Sequence, residues 1–424
     1  MSGVLRTELR RGTAPVAAVA TLVLGALLLH AEASQWGGRW MAFATAVRFS
    51  TLVLAPVAVA LGVWQGGRER RRRLGELLAS TPRPRWQPLV VAWASLTLGC
   101  WLGLLVVVAA GAVLVAPVAT YAGGGWWWLL AVALVALAAA TAGGLALGRV
   151  APFWVAAPVA MIGLYALQVY AHDTFGPRGL RWLTPILAVY DAWGHHLSGW
   201  IHLRQALWFG GVAATALVLA AARRRWLAIL PAAVALVGAG PFLSGPSSDG
   251  WQPDPVANEL VCTEDEPRVC LSREEAFLLD EVTPAAREAL RRFEGVPGGP
   301  TRALGSTFAP LPGAEPYLDI RIAGRVTITG ELSPDAQWPF VHWWPDLVCD
   351  SPDAYDRYLW LLDAAAHWAS EEPAAEWWVP EMRDEYAALL AMPLAEQKAW
   401  IGELIAAAGD CDRAALDQLA ERLR

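Results

Sequence analysis

Few residues in this 424-residue chain are grouped in a way that could do covalent chemistry. The stretch His342-Trp343-Trp344-Pro345-Asp346 could be half of an aromatic-lined site, with Trp377 and Trp378 as the other half, although core packing explains the same residues equally well. Asp191, His195 and His196 could form a catalytic or metal cluster. Adjacent histidines point in different directions on a helix, and His202 stands further along the chain, so interfacial polarity accounts for them better. Neither the His-Glu-x-x-His pattern of a zinc hydrolase nor a Gly-x-Ser-x-Gly nucleophile elbow occurs. The only lysine, Lys398, sits in Gln397-Lys398-Ala399 with no glycine-rich loop before it. That excludes a P-loop, whose lysine must reach the terminal phosphates of a nucleotide. The expectation is a chain that is no enzyme by itself, with no catalytic residue, no metal and no nucleic-acid partner.

What the chain does offer is charge, and it is divided in two. Residues 1–243 carry 19 Arg and no Lys against 6 acids, a net of +13, whereas residues 244–424 carry 14 Lys plus Arg against 33 acids, a net of −19. The basic half is also a series of apolar runs. A bilayer core needs about 20 mostly apolar residues per helix, and seven runs qualify: 14–32, 41–64, 87–116, 125–148, 151–170, 206–222 and 227–243. The arginines crowd the connections on one side of those runs: Arg6, Arg10 and Arg11, then Arg68 to Arg85, then Arg149, then Arg223 to Arg225. By the positive-inside rule the amino terminus is cytoplasmic and residues 244–424 are extracellular, in a multi-pass protein of the cell membrane. Trp126, Trp127 and Trp128 then fall at the outer interface.

Several polar residues interrupt the apolar runs. Arg48 lies inside the second run, where either snorkelling to the interface or a place on a lateral path or subunit interface would make it tolerable. Tyr165, Gln168, Tyr170 and Asp191 are further candidates for a path or interface.

Four of the five cysteines, Cys262, Cys270, Cys349 and Cys411, lie in the half assigned to the outside, where an even number favours disulfides. Of three pairings, Cys262–Cys270 with Cys349–Cys411 is favoured, and the spacing argues against zinc. Residues 244–258 read as a Gly/Ser/Pro linker. Beyond it, Ser272 and Glu275 suit a helix cap, and a further helix starts near Pro284. Residues 317–322 and 325–328 suit a hairpin turning at Ala323-Gly324, and helices are expected over 353–370, 380–391, 394–408 and 413–423. The outer part is thus a mixed α/β domain, in which His342, Trp343, Trp344, Trp377 and Trp378 are candidate contact residues.

The most informative short stretch is the connection after the second run. Gly67-Arg68-Glu69-Arg70-Arg71-Arg72-Arg73 is followed by Leu74, Gly75, Glu76, Leu77 and Leu78, then by Pro82 and Arg83 before the third run. Leu74, Leu77 and Leu78 make an apolar stripe on a short helix that Pro82 and Pro84 end. Plain retention of topology by charge would need the arginines but no such helix.

In these residues, and in their position between the second and third spans, the chain resembles the membrane subunit of ABC-2 type ABC transporters. The resemblance covers 1–222 and implies a six-span transmembrane domain. Its cytoplasmic coupling helix, near 67–81, would use Arg68, Arg70, Arg71, Arg72, Arg73, Leu74, Glu76, Leu77 and Leu78 to sit in a cleft of an ATP-binding subunit. ATP and Mg would belong to that partner, an ABC ATPase dimer, and a second copy of this permease or a related one would complete the path through the bilayer. The chain departs from the simplest pattern by a seventh helix, in 223–243, and by the domain at 259–424. The implied activity is ATP-driven export of an amphiphilic, peptide or drug-like substrate. The rival readings are a membrane-anchored extracellular sensor or binding protein without transport, and an extracellular hydrolase.

Overall fold

The computed structural model describes residues 2–71, 84, 86–151, 153–172, 179–222, 224–244, 250–305, 317–320, 322, 326–333, 352–371 and 378–424. The chain divides into two compact units, one formed by Met1–Pro117 and Ala122–Gln252, the other by Val118–Tyr121 and Pro253–Arg424.

In the first unit the apolar runs become helices, because in lipid a backbone must satisfy its own N–H and C=O groups. They are α1 (Ser2–Arg11), α2 (Ala14–Ala31), α3 (Ala33–Trp36), α4 (Trp40–Gly66), α5 (Arg68–Arg71), α6 (Trp86–Val115), α7 (Trp126–Val150), α8 (Ala156–His172), α9 (Gly199–Ala221) and α10 (Ile229–Ser244). Among the described residues, six stretches are long and apolar enough to cross a membrane: α2, α4, α6, α7, α9, and Arg225–Leu243, which joins a short 3-10 turn to α10. This is the architecture of a polytopic helical membrane protein.

Two boundaries correct the sequence reading. The fifth run yields α8, a helix of 17 residues, about 26 Å long against roughly 30 Å of hydrocarbon. The helix starts at Ala156 and not at 151, with Pro158 in its first turn, where a missing N–H leaves no intrahelical bond unmade. The sixth run begins earlier than 206, because α9 starts at Gly199 and takes in His202, Arg204 and Gln205.

Side-chain contacts fix the direction of each helix. Trp40 stacks on Trp126 at 4.5 Å, and further along Gly144 and Gly148 lie against Val59 and Val63, so α4 and α7 run parallel. Gly99 lies against Ala14 and Gly103 against Ala18, making α2 and α6 a second parallel pair. Trp93 and Trp101 of α6 donate through Nε1 to the carbonyls of Ala138 and Leu134, so α6 opposes α7. Arg149, at the end of α7, donates to the Ala220 carbonyl at the end of α9, while Leu129 and Ile201 near their starts share one apolar cluster. Gly211 lies against Ala235 and Gly238 against Arg204, so α10 returns antiparallel to α9.

The unit therefore has a basic end and a far end. Arg6, Arg10, Arg68, Arg70, Arg71, Arg149, Arg224 and Arg225 gather at the first, with Arg39, Arg181 and Arg204 toward the second. The short α8 still carries the chain from one end toward the other. It begins just after Arg149, and beyond it Trp182 joins Leu129, Ile201 and Phe242 in the far-end cluster. Exposed tryptophans mark both ends: Trp64, Trp86, Trp154 and Trp226 at the basic end, Trp127, Trp128 and Trp200 at the far end. Such rings settle at the two water–lipid boundaries.

The two parallel seams are built on glycine. A Cβ on Gly62, Gly66, Gly144 or Gly148 would collide with the facing backbone of the α4–α7 pair, and one on Gly99 or Gly103 would collide with α2. Close backbone approach through small residues spaced four apart is a common way for helices to associate in lipid, where no hydrophobic effect drives them together.

The first unit also holds a two-stranded ribbon of β1 (His195–Leu197) and β2 (Trp251–Pro253), whereas the second unit has a four-stranded sheet ordered β3 (Leu260–Cys262), β4 (Val269–Ser272), β5 (Arg302–Gly305) and β6 (Tyr317–Asp319). Strands β3 and β4 are antiparallel, with Cys262 opposite Cys270 and joined to it by a disulfide. Cys411 is also disulfide-bonded; its expected partner, Cys349, lies outside the described residues. Both β4–β5 and β5–β6 are parallel, and α11 (Leu279–Arg292) makes the crossover between β4 and β5.

Helices α12 (Pro352–Ser370), α13 (Pro380–Ala391), α14 (Leu394–Gly409) and α15 (Arg413–Glu421) stand where the apolar periodicity puts them. Their core centres on Trp368 and Trp400, whose ring N–H groups donate to Gln397 Oε1 and to the Leu419 carbonyl. A buried indole needs such a partner.

Three local expectations change here, and the turn of a fourth is not among the described residues. Ser272 ends strand β4 and caps nothing. The helix expected to start at Pro284 starts at Leu279 and contains that proline. Val326 bridges to Leu332 around Gly330, whose φ of 84° suits glycine, while the turn predicted at Ala323-Gly324 lies outside the described residues. The linker is shorter than 244–258, because Asp254 Oδ1 accepts from the N–H groups of Val256 and Ala257 and builds a turn.

Candidate functional site

Arg48 is the residue in the helical unit whose burial most needs explaining. It sits on α4 two turns past Trp40, and its side chain is wholly buried. This removes the snorkelling explanation, since a snorkelling guanidinium reaches water or headgroups. Arg48 turns into the bundle instead. Its Nε donates to the Pro185 carbonyl at 2.5 Å and its Nη2 to Gln205 Oε1 at 3.1 Å. Gln205 in turn donates through Nε2 to the Trp182 carbonyl at 2.9 Å. The guanidinium thus ties α4 to the irregular segment after α8 and to α9. That segment is held in place by the far-end cluster, in which Trp182, Leu187, Ala192, Leu197, Ile201 and Phe242 are buried together.

His202 lies one turn before Gln205 on the same face of α9, is 6% exposed, and is near enough for the Arg48 charge to act on it. Gln168 of α8, 2% exposed, donates to the Leu52 carbonyl, one turn along α4 from Arg48. Arg48, His202, Gln205 and Gln168 make a polar seam through otherwise apolar helices. Three of its polar atoms, Arg48 Nη1, His202 Nδ1 and Gln168 Oε1, have no hydrogen-bond partner among the described residues. Nor does any carboxylate among the described residues form an ion pair with Arg48. The cation is held only by neutral acceptors.

The other expected site residues are placed differently. Tyr165 and Tyr170 of α8 are exposed, unlike the buried Gln168. Asp191 is half-buried in the 3-10 turn Val189–Ala192, and His195 pairs through Nδ1 with the Trp193 carbonyl. Among the described residues no three His, Cys, Asp or Glu side chains come close enough to share a metal ion. In the second unit Trp378 is buried, its Nε1 donating to Asp363 Oδ2, so it packs the core and is no surface contact. His342, Trp343, Trp344 and Trp377 lie outside the described residues.

In the arginine-rich connection, Arg68, Arg70 and Arg71 fall in α5, while Arg72, Arg73, Leu74, Glu76, Leu77 and Leu78 lie outside the described residues. The root of the connection is fastened. Arg68 makes a two-pronged ion pair with Glu8 of α1, at 2.7 and 3.1 Å. Arg71 donates to the Trp64 carbonyl and lies over the Trp64 ring at 4.3 Å, a cation–π contact.

Gln205 is missing from the sequence reading, and His202 figures there only as interfacial polarity, because the sixth apolar run reads as starting at 206. The available signal was their i, i+3 spacing immediately upstream, which becomes a single buried face once the helix is extended by two turns. No protein family, curated protein or solved structure matches the chain.

Proposed function

We propose that this chain is the permease subunit of an ATP-driven exporter, working with a separate ATP-binding subunit and moving an amphiphilic, peptide or drug-like substrate outward. The observation that carries this reading is the position of α4. One end of this helix runs into the fastened, arginine-rich connection, and its other half holds the buried Arg48 seam. Twenty residues separate Arg48 from Arg68, about 30 Å of helix. The Gly62/Gly66 and Gly144/Gly148 contacts lock α4 to α7, so a push at the connection moves two helices together and reaches the seam.

On this reading the basic end faces the cytoplasm, where the connection docks on the ATPase, and the disulfide-bearing unit stands outside as a cap or substrate-handling domain. The ATPase dimer binds ATP and Mg; this chain contributes neither. Two permease chains enclose the path.

The test is purification of the complex from its native membrane. A P-loop ATPase recovered at a one-to-one ratio, with ATP hydrolysis in lipid that responds to amphiphilic substrates, supports the reading. Reversing the charge of Arg70–Arg73 should then remove the ATPase while leaving the permease folded; a complex that survives this change sinks the docking assignment.

A further inference from the structure

We propose that the Arg48 seam is a binding site for the anionic head, a carboxylate or phosphate, of an amphiphile. The proposal deepens the exporter reading, since such an amphiphile would be its cargo. Its support is the imbalance within the seam. A guanidinium removed from water is tolerated when opposite charge and hydrogen bonds replace its hydration. Arg48 has two neutral acceptors, the Pro185 carbonyl and Gln205, and leaves Nη1 unpartnered although the side chain is wholly buried.

His202 adds a second unpartnered nitrogen, Nδ1, on the adjacent helix. The Leu197 carbonyl acts on the same ring and favours the proton on Nε2, so Nδ1 is an acceptor for the O–H of a protonated head group, while Arg48 Nη1 offers the charged N–H to its oxyanion. Gln205, anchored on the Trp182 carbonyl, occupies Nη2 and so leaves Nη1 for the ligand. The surrounding helices are apolar, which fits a ligand with a hydrocarbon tail better than a free ion.

The experiment uses the full chain in nanodiscs of phosphatidylcholine, with radiolabelled dodecyl phosphate as the probe. Dodecanoate, dodecanol and inorganic phosphate serve as competitors. Wild-type protein should bind dodecyl phosphate, dodecanoate should displace it, and dodecanol and inorganic phosphate should each compete at least about tenfold more weakly. Arg48→Gln should lose about tenfold or more in affinity, the scale expected when one partner of a buried charge contact is removed. Arg48→Lys should retain part of it.

If Arg48→Gln is not monodisperse, His202→Ala carries the test, because it leaves both hydrogen bonds of Arg48 in place; a loss of about fivefold is expected from one missing hydrogen bond. Unchanged affinity in whichever variant folds, equal competition by dodecanol, or no binding by the wild type overturns the proposal. Equal competition by inorganic phosphate also overturns it, in favour of a free-ion site. The assay needs no ATPase, so its failure is separate from failure of the exporter reading.

Discussion

Arg48 and Asp412 show opposite ways in which a single side chain serves this fold. Asp412 caps α15, its Oδ1 accepting from the N–H groups of Ala414 and Ala415 at 3.1 Å each. Asp412→Ala leaves those donors to water and should cost about 1 kcal/mol. Differential scanning calorimetry should register this as a shift of about 2–4 °C in the transition of the second unit. Cys262→Ser with Cys270→Ser opens the eight-residue clip between β3 and β4 and should cost about 2–3 kcal/mol on the chain-entropy account. Denaturant titration of the double variant against the oxidised parent measures this loss. Arg48 was legible in the sequence as a residue out of place, because a cation in a long apolar run always is. Its partners were not. A backbone carbonyl such as that of Pro185 has no sequence signature, and Gln205 looked like part of a loop until the helix boundary moved.

At the level of elements, long apolar runs announced the helices and apolar periodicity placed α12 to α15, since burial of one face governs both. The short pieces were harder. Ser272 satisfies the pattern of a cap yet ends a strand, because pairing with β3 outweighs a local hydrogen bond. The glycine seams were hidden for a related reason: Gly143 and Gly144 are neighbours in sequence, and only the packed helices show which one faces α4. A Cβ on Gly144 meets the backbone at Val59, whereas one on Gly143 has open space. Gly144→Ala should therefore destabilise the α4–α7 pair by about 1–3 kcal/mol through overpacking. Gly143→Ala should be neutral or stabilising by up to about 1 kcal/mol through helix propensity. Thermal unfolding of the two variants in one detergent compares them directly, and equal melting would contradict the assigned seam.

On the scale of the molecule, α1 belongs to the basic end of the helical unit, while the chain leaves that unit at the far end, where Gly250 accepts a hydrogen bond from the Ser198 N–H. In intact cells, a tag placed before α1 and one placed after Arg424 should therefore label from opposite faces of the membrane. Impermeant thiol and antibody probes can read this out, and same-side labelling would refute the topology. The charge division carries the same expectation in the sequence, because positive connections set orientation. The substrate was not legible, because a ligand is recognised by groups from several helices whose meeting depends on the whole bundle. The two glycine seams also dictate an order of assembly. Gly99 meets Ala14 and Gly148 meets Val63, in each case across 85 residues of chain. During synthesis α2 and α4 must thus wait in lipid without their partners, and the bundle closes late, by capture of α6 and then α7. A nascent chain stopped after α6 should pass its first seam but remain open at the second.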